Sequence, residues 1–189
     1  MKFNNKPNIL YSINTEYDDN IQVWDSRSVA VNGVILIDVA NNEDSSLYVL
    51  VNKRGPYGDF PDLWNLPAGY LDKNETGPEA FVRETWEECG LNLYKLQEDA
   101  LMINERHLDQ PWNVETDPSV NRQNISLRYG LYTTQYYFPS LSTDYNDIPG
   151  EVIDPRWIPV NIIDKYEWAF NHDRVIKNYL LKINKTKAL

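Results

Sequence analysis

The chain has 189 residues and a formal net charge of −10, with 42% hydrophobic and 24% charged residues. This size and composition indicate one folded domain with a core of its own and exclude disorder of the whole chain. The acidic balance argues against non-specific nucleic-acid binding, and no apolar run reaches the roughly 20 residues of a membrane span. There is no apolar signal region near Met1, and Cys89 is the only cysteine. We therefore expect a cytoplasmic protein without an internal disulfide.

The predicted elements are strands on either side of one central helix, with a second helix near the carboxyl terminus. Residues 1–24 are polar with scattered aromatic side chains, and we expect an amino-terminal extension of a single domain spanning 1–189. Apolar periodicity and turn residues predict the other elements. In chain order they are strands over 28–38 and 47–52, a loop over 53–62, the central helix, a polar insertion over 104–124, a strand over 125–138 and a helix over 167–183. This order indicates a mixed α/β layer architecture.

The central helix has clear end signals. Thr76 and Glu79 have the spacing of a capping box, and Gly90 supplies the left-handed residue that commonly ends a helix. A wheel of about 3.6 residues per turn places two groups of side chains on opposite sides. The side predicted to face the core carries Val82, Thr85, Trp86 and Cys89, and the opposite side carries Glu84, Glu87 and Glu88.

The three glutamates of this helix repel one another, because residues three and four apart are neighbours on a helix surface. Glu84, Glu87 and Glu88 allow two interpretations. One is a solvated acidic face, and the other is a site for a hard cation, since carboxylate oxygens are the ligands that Mg²⁺ and Mn²⁺ prefer. The flanking sequence favours the cation site.

The sequence around this helix resembles the Nudix box, G-x5-E-x7-R-E-U-x-E-E-x-G-U, in which U is a bulky aliphatic residue. The one departure is Thr85 at the first U position, and a β-branched threonine is still expected to pack inward. Ala68 precedes the motif where glycine is common in the family. The matching residues are Gly69, Glu75, Arg83, Glu84, Glu87, Glu88, Gly90 and Leu91.

The resemblance implies an α/β/α sandwich with a mixed β-sheet and a pyrophosphohydrolase activity. Nudix hydrolases cleave the diphosphate of a nucleoside diphosphate derivative with water and a divalent metal, here Mg²⁺ or Mn²⁺. A bound metal offsets the charge of the diphosphate and lowers the pKa of its water. The products and the substrate are small nucleotides, and neither a nucleic-acid nor a membrane partner is expected. Both a monomer and a homodimer are compatible with the sequence.

The resemblance also assigns roles to residues of the box. The implied metal ligands are the carboxylates of Glu84, Glu87 and Glu88 and the backbone carbonyl of Ala68. Glu84, or a carboxylate elsewhere, handles the proton of the water. Gly69 allows its loop to approach the helix closely, and the pair Glu75 and Arg83 orients the glutamates.

Outside the box, two further site residues are predicted. Glu151 lies a few positions before a tryptophan in the last strand region, where relatives often place an additional ligand or base, and Asp154 is its rival. Arg54 follows the second strand, where related enzymes often place an arginine that contacts phosphate. His172 is assigned no role. Four aromatic residues that could stack on a base are expected to anchor the core or loops instead: Phe60, Trp64, Tyr70 and Trp112.

Two alternatives to the hydrolase remain open. The first is a regulatory Nudix domain that binds a nucleotide without turnover, although a pure binder has less need of all three glutamates. The second is a relative with isopentenyl-diphosphate isomerase chemistry. That reaction relies on a catalytic cysteine, whereas Cys89 falls on the predicted buried side of the helix.

Overall fold

The computed structural model describes residues 8–14, 21–40, 47–118 and 124–185. Six strands precede two consecutive helices, four more strands follow, and short 3₁₀ turns at Val160–Lys165 and Ala169–Asn171 precede the last helix. The strands are β1 (Ile9–Ile13), β2 (Ile21–Asp25), β3 (Val29–Val39), β4 (Leu47–Arg54), β5 (Trp64–Asn65), β6 (Ala68–Tyr70), β7 (Met102–His107), β8 (Asn113–Glu115), β9 (Ile125–Gln135) and β10 (Val152–Pro159). The helices are α1 (Gly77–Cys89), α2 (Leu93–Glu98) and α3 (His172–Lys182).

The main sheet has the order β10-β4-β3-β9-β7, and the short strands β5, β6 and β8 pair with β4, β3 and β9. The central pair, β3 and β9, is parallel, whereas the other pairs are antiparallel, so the sheet is mixed. Both central strands are mostly buried, as expected for strands that are covered on both faces.

Each face of the sheet has its own hydrophobic core. Alternate residues of β3 point to opposite faces, so that Ile35 belongs to the core beneath α1 and α2 while Leu36 belongs to the core beneath α3. Phe81 of α1 fills the first core and Tyr179 of α3 fills the second. This arrangement confirms the predicted α/β/α sandwich with a mixed sheet.

The predicted ends of α1 are confirmed. The Thr76 side chain accepts a hydrogen bond from the backbone N–H of Glu79, and the Glu79 carboxylate accepts one from the backbone N–H of Thr76 at 2.9 Å. Gly90 has φ of 65°, in the left-handed region, and its N–H bonds the carbonyl of Trp86 at 2.8 Å. The capping box and the glycine together satisfy backbone groups that the helix itself leaves unpaired.

The predicted core face of α1 is wrong for two residues. Trp86 is 36% exposed and stacks on Tyr145, with ring centroids 4.0 Å apart, instead of packing in the core. Glu88 is only 4% exposed and lies on the buried side with Cys89. A helical wheel weighted by hydrophobicity cannot predict this exchange of exposed and buried positions. Polar groups outside the helix hold the Glu88 carboxylate on the buried side. Thr85 packs inward as expected, with its hydroxyl donating to the carbonyl of Phe81 at 2.8 Å.

The segment 104–124 is not simply an insertion, because it contains most of β7 and all of β8. β7 pairs on one side with β9 and leaves most of its side chains exposed, so its sequence is polar and lacks a strand pattern. Residues 119–123 of the predicted insertion lie outside the described ranges. The short helix α2 was also not predicted.

The ends of the domain differ from the predictions in detail. α3 begins at His172 instead of 167, because Phe170 and Asn171 adopt left-handed backbone angles with φ of 56° and 57°. In the predicted extension, β1 and β2 form a separate antiparallel pair with mostly exposed side chains, and 1–7 and 15–20 lie outside the described ranges. None of the described helices is long and apolar enough to cross a membrane.

Candidate active site

The Glu88 carboxylate is the buried centre of the site. Its Oε2 accepts hydrogen bonds from the backbone N–H of Ala68 at 3.0 Å and from the side-chain amide of Asn52 at 2.9 Å. β6 and β4 supply these donors, so the sheet and α1 are joined at this carboxylate. Burial is the main cause that raises the pKa of Glu88, and repulsion from Glu84 adds to it.

Arg83 binds the other box carboxylates. Its Nε and Nη2 donate to the two oxygens of Glu75 at 2.8 and 3.0 Å, a bidentate pair. Its Nη1 donates to Glu84 at 2.8 Å and to Glu87 at 3.0 Å, and Nη2 also reaches the carbonyl of Tyr70 at 2.9 Å. The structure thus brings Glu75, Arg83, Glu84 and Glu87 together, as the orienting role predicted for Glu75 and Arg83 requires.

The surroundings of Glu84, Glu87 and Glu88 favour their protonation or a nearby cation. Burial raises the pKa of Glu84 to about 7 against the opposing effect of Arg83, and the charges of Glu87 and Glu151 raise it further. Burial also raises the pKa of Glu87. In contrast, the hydrogen bond from Arg83 lowers the pKa of Glu75, so this carboxylate stays ionised beside its arginine.

At Gly69 the strand β6 approaches α1 closely. A Cβ atom at this position would lie 1.9 Å from Oε1 of Glu84, a distance that no side chain can occupy. The residue is therefore glycine because the Glu84 carboxylate fills the space of its missing side chain. This contact explains the close approach of the loop that the sequence predicts for Gly69.

Glu151 and its rival Asp154 lie in different surroundings. Glu151 precedes β10, lines the main cavity and is close enough for its charge to raise the pKa of both Glu84 and Glu88. Asp154 forms an ion pair with Arg156. The geometry therefore favours Glu151 over Asp154 as the additional acidic residue of the site.

The cavity beside these carboxylates has a volume of about 1020 Å³. Arg54 lines it at the end of β4, donates from Nε to the carbonyl of Asp59 at 3.2 Å and lies over the ring of Phe170, 5.6 Å from the centroid. Phe60 packs edge-on against Phe170 with centroids 4.9 Å apart. The cavity is lined by Gly69, Glu151, Arg54 and these two rings, and this volume suits a ligand of nucleotide size.

The carboxylates provide the hard oxygen donors that a divalent cation needs. A cation stabilises the ionised form of carboxylates that are buried close to other carboxylates. The residues present therefore fit Mg²⁺ or Mn²⁺. Across the described ranges, no three acidic, histidine or cysteine side chains converge on one point as they stand. Arg83 instead holds the carboxylates of Glu84 and Glu87 through a single nitrogen.

Two residues of this region were missed by sequence reasoning. Asn52 donates to Glu88, and His172 lines the cavity while its Nδ1 accepts the backbone N–H of Leu66 at 3.0 Å. Neither belongs to a local motif, because their partners lie 36 and 106 residues away along the chain. Phe60 and Tyr70 line the cavity instead of the core, whereas Trp64 and Trp112 pack against the core as expected.

Comparisons with known proteins agree with this geometry. A family model described as the NUDIX domain matches residues 30–179. The chain is 27% identical over 124 residues to a putative 8-oxo-dGTP diphosphatase 3 of Mycobacterium tuberculosis, covering 59% of this chain and 55% of that protein. The chain spans between 15% and 55% of the length of the first curated relatives that it matches.

Two solved structures share the fold. One is the NUDIX domain of Shewanella oneidensis NrtR complexed with ADP ribose, with a TM-score of 0.60, 19% identity and coverage of 84% of this chain and 89% of that chain. The other is a bifunctional NMN adenylyltransferase/ADP ribose pyrophosphatase of Francisella tularensis, complexed with AMP and a Mn ion. It has a TM-score of 0.58, 23% identity and coverage of 83% of this chain and 42% of that chain.

The chain belongs to the Nudix family, because the family model covers most of its length. The family predicted from the box is therefore confirmed, as is the fold. The enzyme class predicted from the box, a pyrophosphohydrolase, agrees with the family and with the names of these relatives.

Proposed function

We propose that this protein is a divalent-metal-dependent hydrolase that cleaves the diphosphate linkage of a nucleoside diphosphate derivative. The observation that carries the proposal is the pair formed by the partly buried Glu84 and the buried Glu88 beside Gly69, close to Glu151 and next to a cavity that Arg54 lines. Carboxylates that are buried near one another are costly unless a cation joins them. A diphosphate brings the matching negative charge to that cation.

The residues of α1 hold the metal in this proposal. Glu84, Glu87 and Glu88 are the carboxylate ligands, and the carbonyl of Ala68 is a further ligand. Bound Mg²⁺ or Mn²⁺ supplies charge neutralisation and a water of lowered pKa. Support for a divalent metal comes from the family and from the Mn ion of the Francisella tularensis protein.

The remaining residues orient the ligands and the substrate. Arg83, fixed by Glu75, positions Glu84 and Glu87, and a carboxylate oxygen of Glu151 accepts the proton of the attacking water. Arg54 donates to a phosphate oxygen of the substrate. Support for a small nucleotide substrate comes from the ADP ribose and AMP bound by the two structural neighbours. The proposal also includes a single domain with 1–24 as an extension. It further includes a cytoplasmic location and no nucleic-acid partner.

The test is a panel of nucleoside diphosphate derivatives with Mg²⁺ in ¹⁸O-labelled water. The panel includes ADP-ribose, NADH, dinucleoside polyphosphates, nucleotide sugars and nucleoside triphosphates. Products are separated by chromatography, and mass spectrometry measures the ¹⁸O content of each. Attack of water at phosphorus places the label in a phosphate-containing product. Label found only in a sugar or alcohol would contradict the proposed reaction.

A second candidate is a regulatory domain that binds a nucleotide without turnover. The hydrogen bonds from Arg83 Nη1 to both Glu84 and Glu87 favour it, because they occupy carboxylates that a metal would need. The same panel separates the two functions. Saturable nucleotide binding without any product, at Mg²⁺ and Mn²⁺ concentrations in the millimolar range, would favour the regulatory domain.

A further inference from the structure

A row of side chains crosses the sheet from the carboxylate edge toward α3. Ala68 of β6 pairs with Asn32 of β3, and Asn32 pairs in turn with Arg128 of β9. Neighbouring strands lie about 4.8 Å apart, so Arg128 is about 10 Å from Ala68 across the sheet. Asn32, Arg128 and His172, the first residue of α3, line the same cavity as Glu151. The row therefore starts at the carboxylates and continues along the cavity.

His172 presents one defined hydrogen-bond donor to this cavity. The ring is 3% exposed, and its Nδ1 accepts the backbone N–H of Leu66. Burial lowers the pKa of His172 to about 3, helped by the charges of Arg128 and Arg54, so the ring is neutral. A neutral imidazole that accepts at Nδ1 carries its proton on Nε2. Among the described residues, the hydrogen bond recorded for this ring is the one at Nδ1.

Two polar atoms of the row are buried without a partner in the described part of the chain: Oδ1 of Asn32 and Nε of Arg128. The other nitrogens of Arg128 are bound, with Nη1 donating to Asn113 at 3.0 Å and Nη2 to Glu115 at 3.5 Å. Buried polar atoms normally have partners. Asn32 and Arg128 each carry such an unpaired atom and line one cavity with His172, and this arrangement indicates a ligand that completes them.

We propose that His172, Asn32 and Arg128 form a hydrogen-bonding subsite for the nucleobase of the substrate. His172 Nε2–H and Arg128 Nε–H donate to the ligand, and Asn32 Oδ1 accepts from it. This inference rests on the proposed function, since it assigns the part of the cavity that holds the nucleoside when the diphosphate is bound at α1.

The unpaired atoms require an uncharged group that both donates and accepts hydrogen bonds. An ionised phosphate only accepts, so it would leave Asn32 Oδ1 unpaired, and the carboxylates of Glu115 and Asp117 in the same lining would repel it. A nucleobase and a ribose both have donors and acceptors. The rings of Phe60 and Phe170 in the cavity lining favour the base, because aromatic rings stack on planar groups.

The test measures the affinity of the full chain for AMP and for ribose 5-phosphate by calorimetry with Mg²⁺ present. The variant His172→Asn keeps an oxygen near the position of Nδ1 for the Leu66 N–H but has no atom at the position of Nε2. We expect it to weaken AMP binding by about fivefold, the size of one hydrogen bond, and to leave ribose 5-phosphate unchanged. An equal loss for both probes would place the ribose at the subsite instead of the base and overturn the base assignment. Unchanged affinity for both would overturn the subsite.

Two further variants separate ligand binding from a structural role. His172→Gln places an amide nitrogen near the position of Nε2 but loses the acceptor for Leu66, so we expect a lower Tm with AMP affinity retained. Loss of AMP affinity as large as in His172→Asn would show a purely structural role and contradict the proposal. Arg128→Lys keeps the positive charge without Nε–H, and we expect it also to weaken AMP binding. Wild-type AMP affinity in this variant would remove Arg128 from the subsite.

The two probes contain no diphosphate, so their binding does not depend on hydrolysis. Failure of the proposed function would appear as an absence of products with AMP binding and its response to His172→Asn intact. Failure of the subsite would appear as unchanged AMP affinity in His172→Asn while a substrate of the panel is still cleaved.

Discussion

The site has two contrasting regions. The acidic wall is formed by Glu84, Glu87 and Glu88 of α1 and lies beside the cavity, behind Ala68 and Gly69, whereas the second wall lines the cavity and is formed by His172 of α3 with Asn32 and Arg128 of the sheet. On the acidic wall, burial and like charges raise the pKa of carboxylates. On the second wall, burial and the charges of arginines lower the pKa of His172. Both walls thus favour the neutral form of their buried ionisable groups, but a different ligand completes each. We propose a cation for the acidic wall and an uncharged group with donors and acceptors for the second.

The largest expected effect concerns the acidic wall. Glu88→Gln removes a ligand charge, so we expect kcat to fall by about 10²–10³ in the Mg²⁺-dependent assay, the size of a lost electrostatic contact to the transition state. The glutamine can still accept the hydrogen bonds of Ala68 and Asn52, and it removes a buried charge, so the free energy of unfolding without metal should not fall. Glu98→Gln at the exposed end of α2 is the matched control and should retain activity. Near-wild-type kcat in Glu88→Gln at saturating Mg²⁺ would contradict its role as a ligand.

The two walls differ in how far the sequence could predict them. The acidic wall is encoded within one helix, so the spacing of Glu84, Glu87 and Glu88 and the capping box are visible without a structure. The second wall depends on the register of β3 with β9 and on a contact between His172 and Leu66 that spans 106 residues. No local pattern contains that information.

The same reasoning accounts for the errors in the fold. Buried strands and the two longer helices were predicted because burial imposes an apolar period on their sequences. The edge strand β7 and the short helix α2 lack such a period, and the left-handed Phe170 and Asn171 shorten α3 without a glycine to mark the change. Trp86 and Glu88 exchanged their expected surroundings because hydrogen bonds from Asn52 and Ala68 hold the carboxylate inside.

The next effect sharpens the geometry of the acidic wall. In Gly69→Ala the new Cβ atom would lie 1.9 Å from Oε1 of Glu84 and would therefore displace that carboxylate. Misplacement of a ligand by about 1 Å costs up to about 10² in rate, so we expect kcat to fall by about tenfold or more. If the effect acts through Glu84, it should be far from additive with Glu84→Gln in a double-mutant cycle of kcat. Strictly additive losses would show that Gly69 acts elsewhere.

The third prediction tests the second wall by pH. The folded pKa of His172, about 3, lies below the ordinary value of 6.5, so between these values the unfolded chain binds the extra proton. The contribution of His172 to stability is therefore complete above pH 6.5 and decreases as the pH falls, by about 1.4 kcal/mol per pH unit. We expect His172→Asn, measured by urea unfolding between pH 6 and pH 4, to lose stability less steeply than the wild type. Parallel curves for the two proteins would show that His172 is not held neutral.

The smallest effect tests whether the rigidity of α1 can be separated from its chemistry. Thr76→Ala removes the capping box at the start of the helix, which costs about 1 kcal/mol and lowers Tm by roughly 2–4 °C for a chain of this size. Thr76 is eight residues before Glu84, about 12 Å along the helix, and the hydrogen bonds from Arg83 to Glu75 and Glu84 do not involve the Thr76 side chain. We therefore expect kcat at 25 °C to stay at the wild-type value, and Thr76→Ser to restore most of the Tm because it keeps the capping hydroxyl. The contrary outcome is a fall of kcat that accompanies the loss of Tm in Thr76→Ala and recovers in Thr76→Ser. It would mean that the position of the acidic wall depends on the whole helix and not on the pair of Arg83 and Glu75.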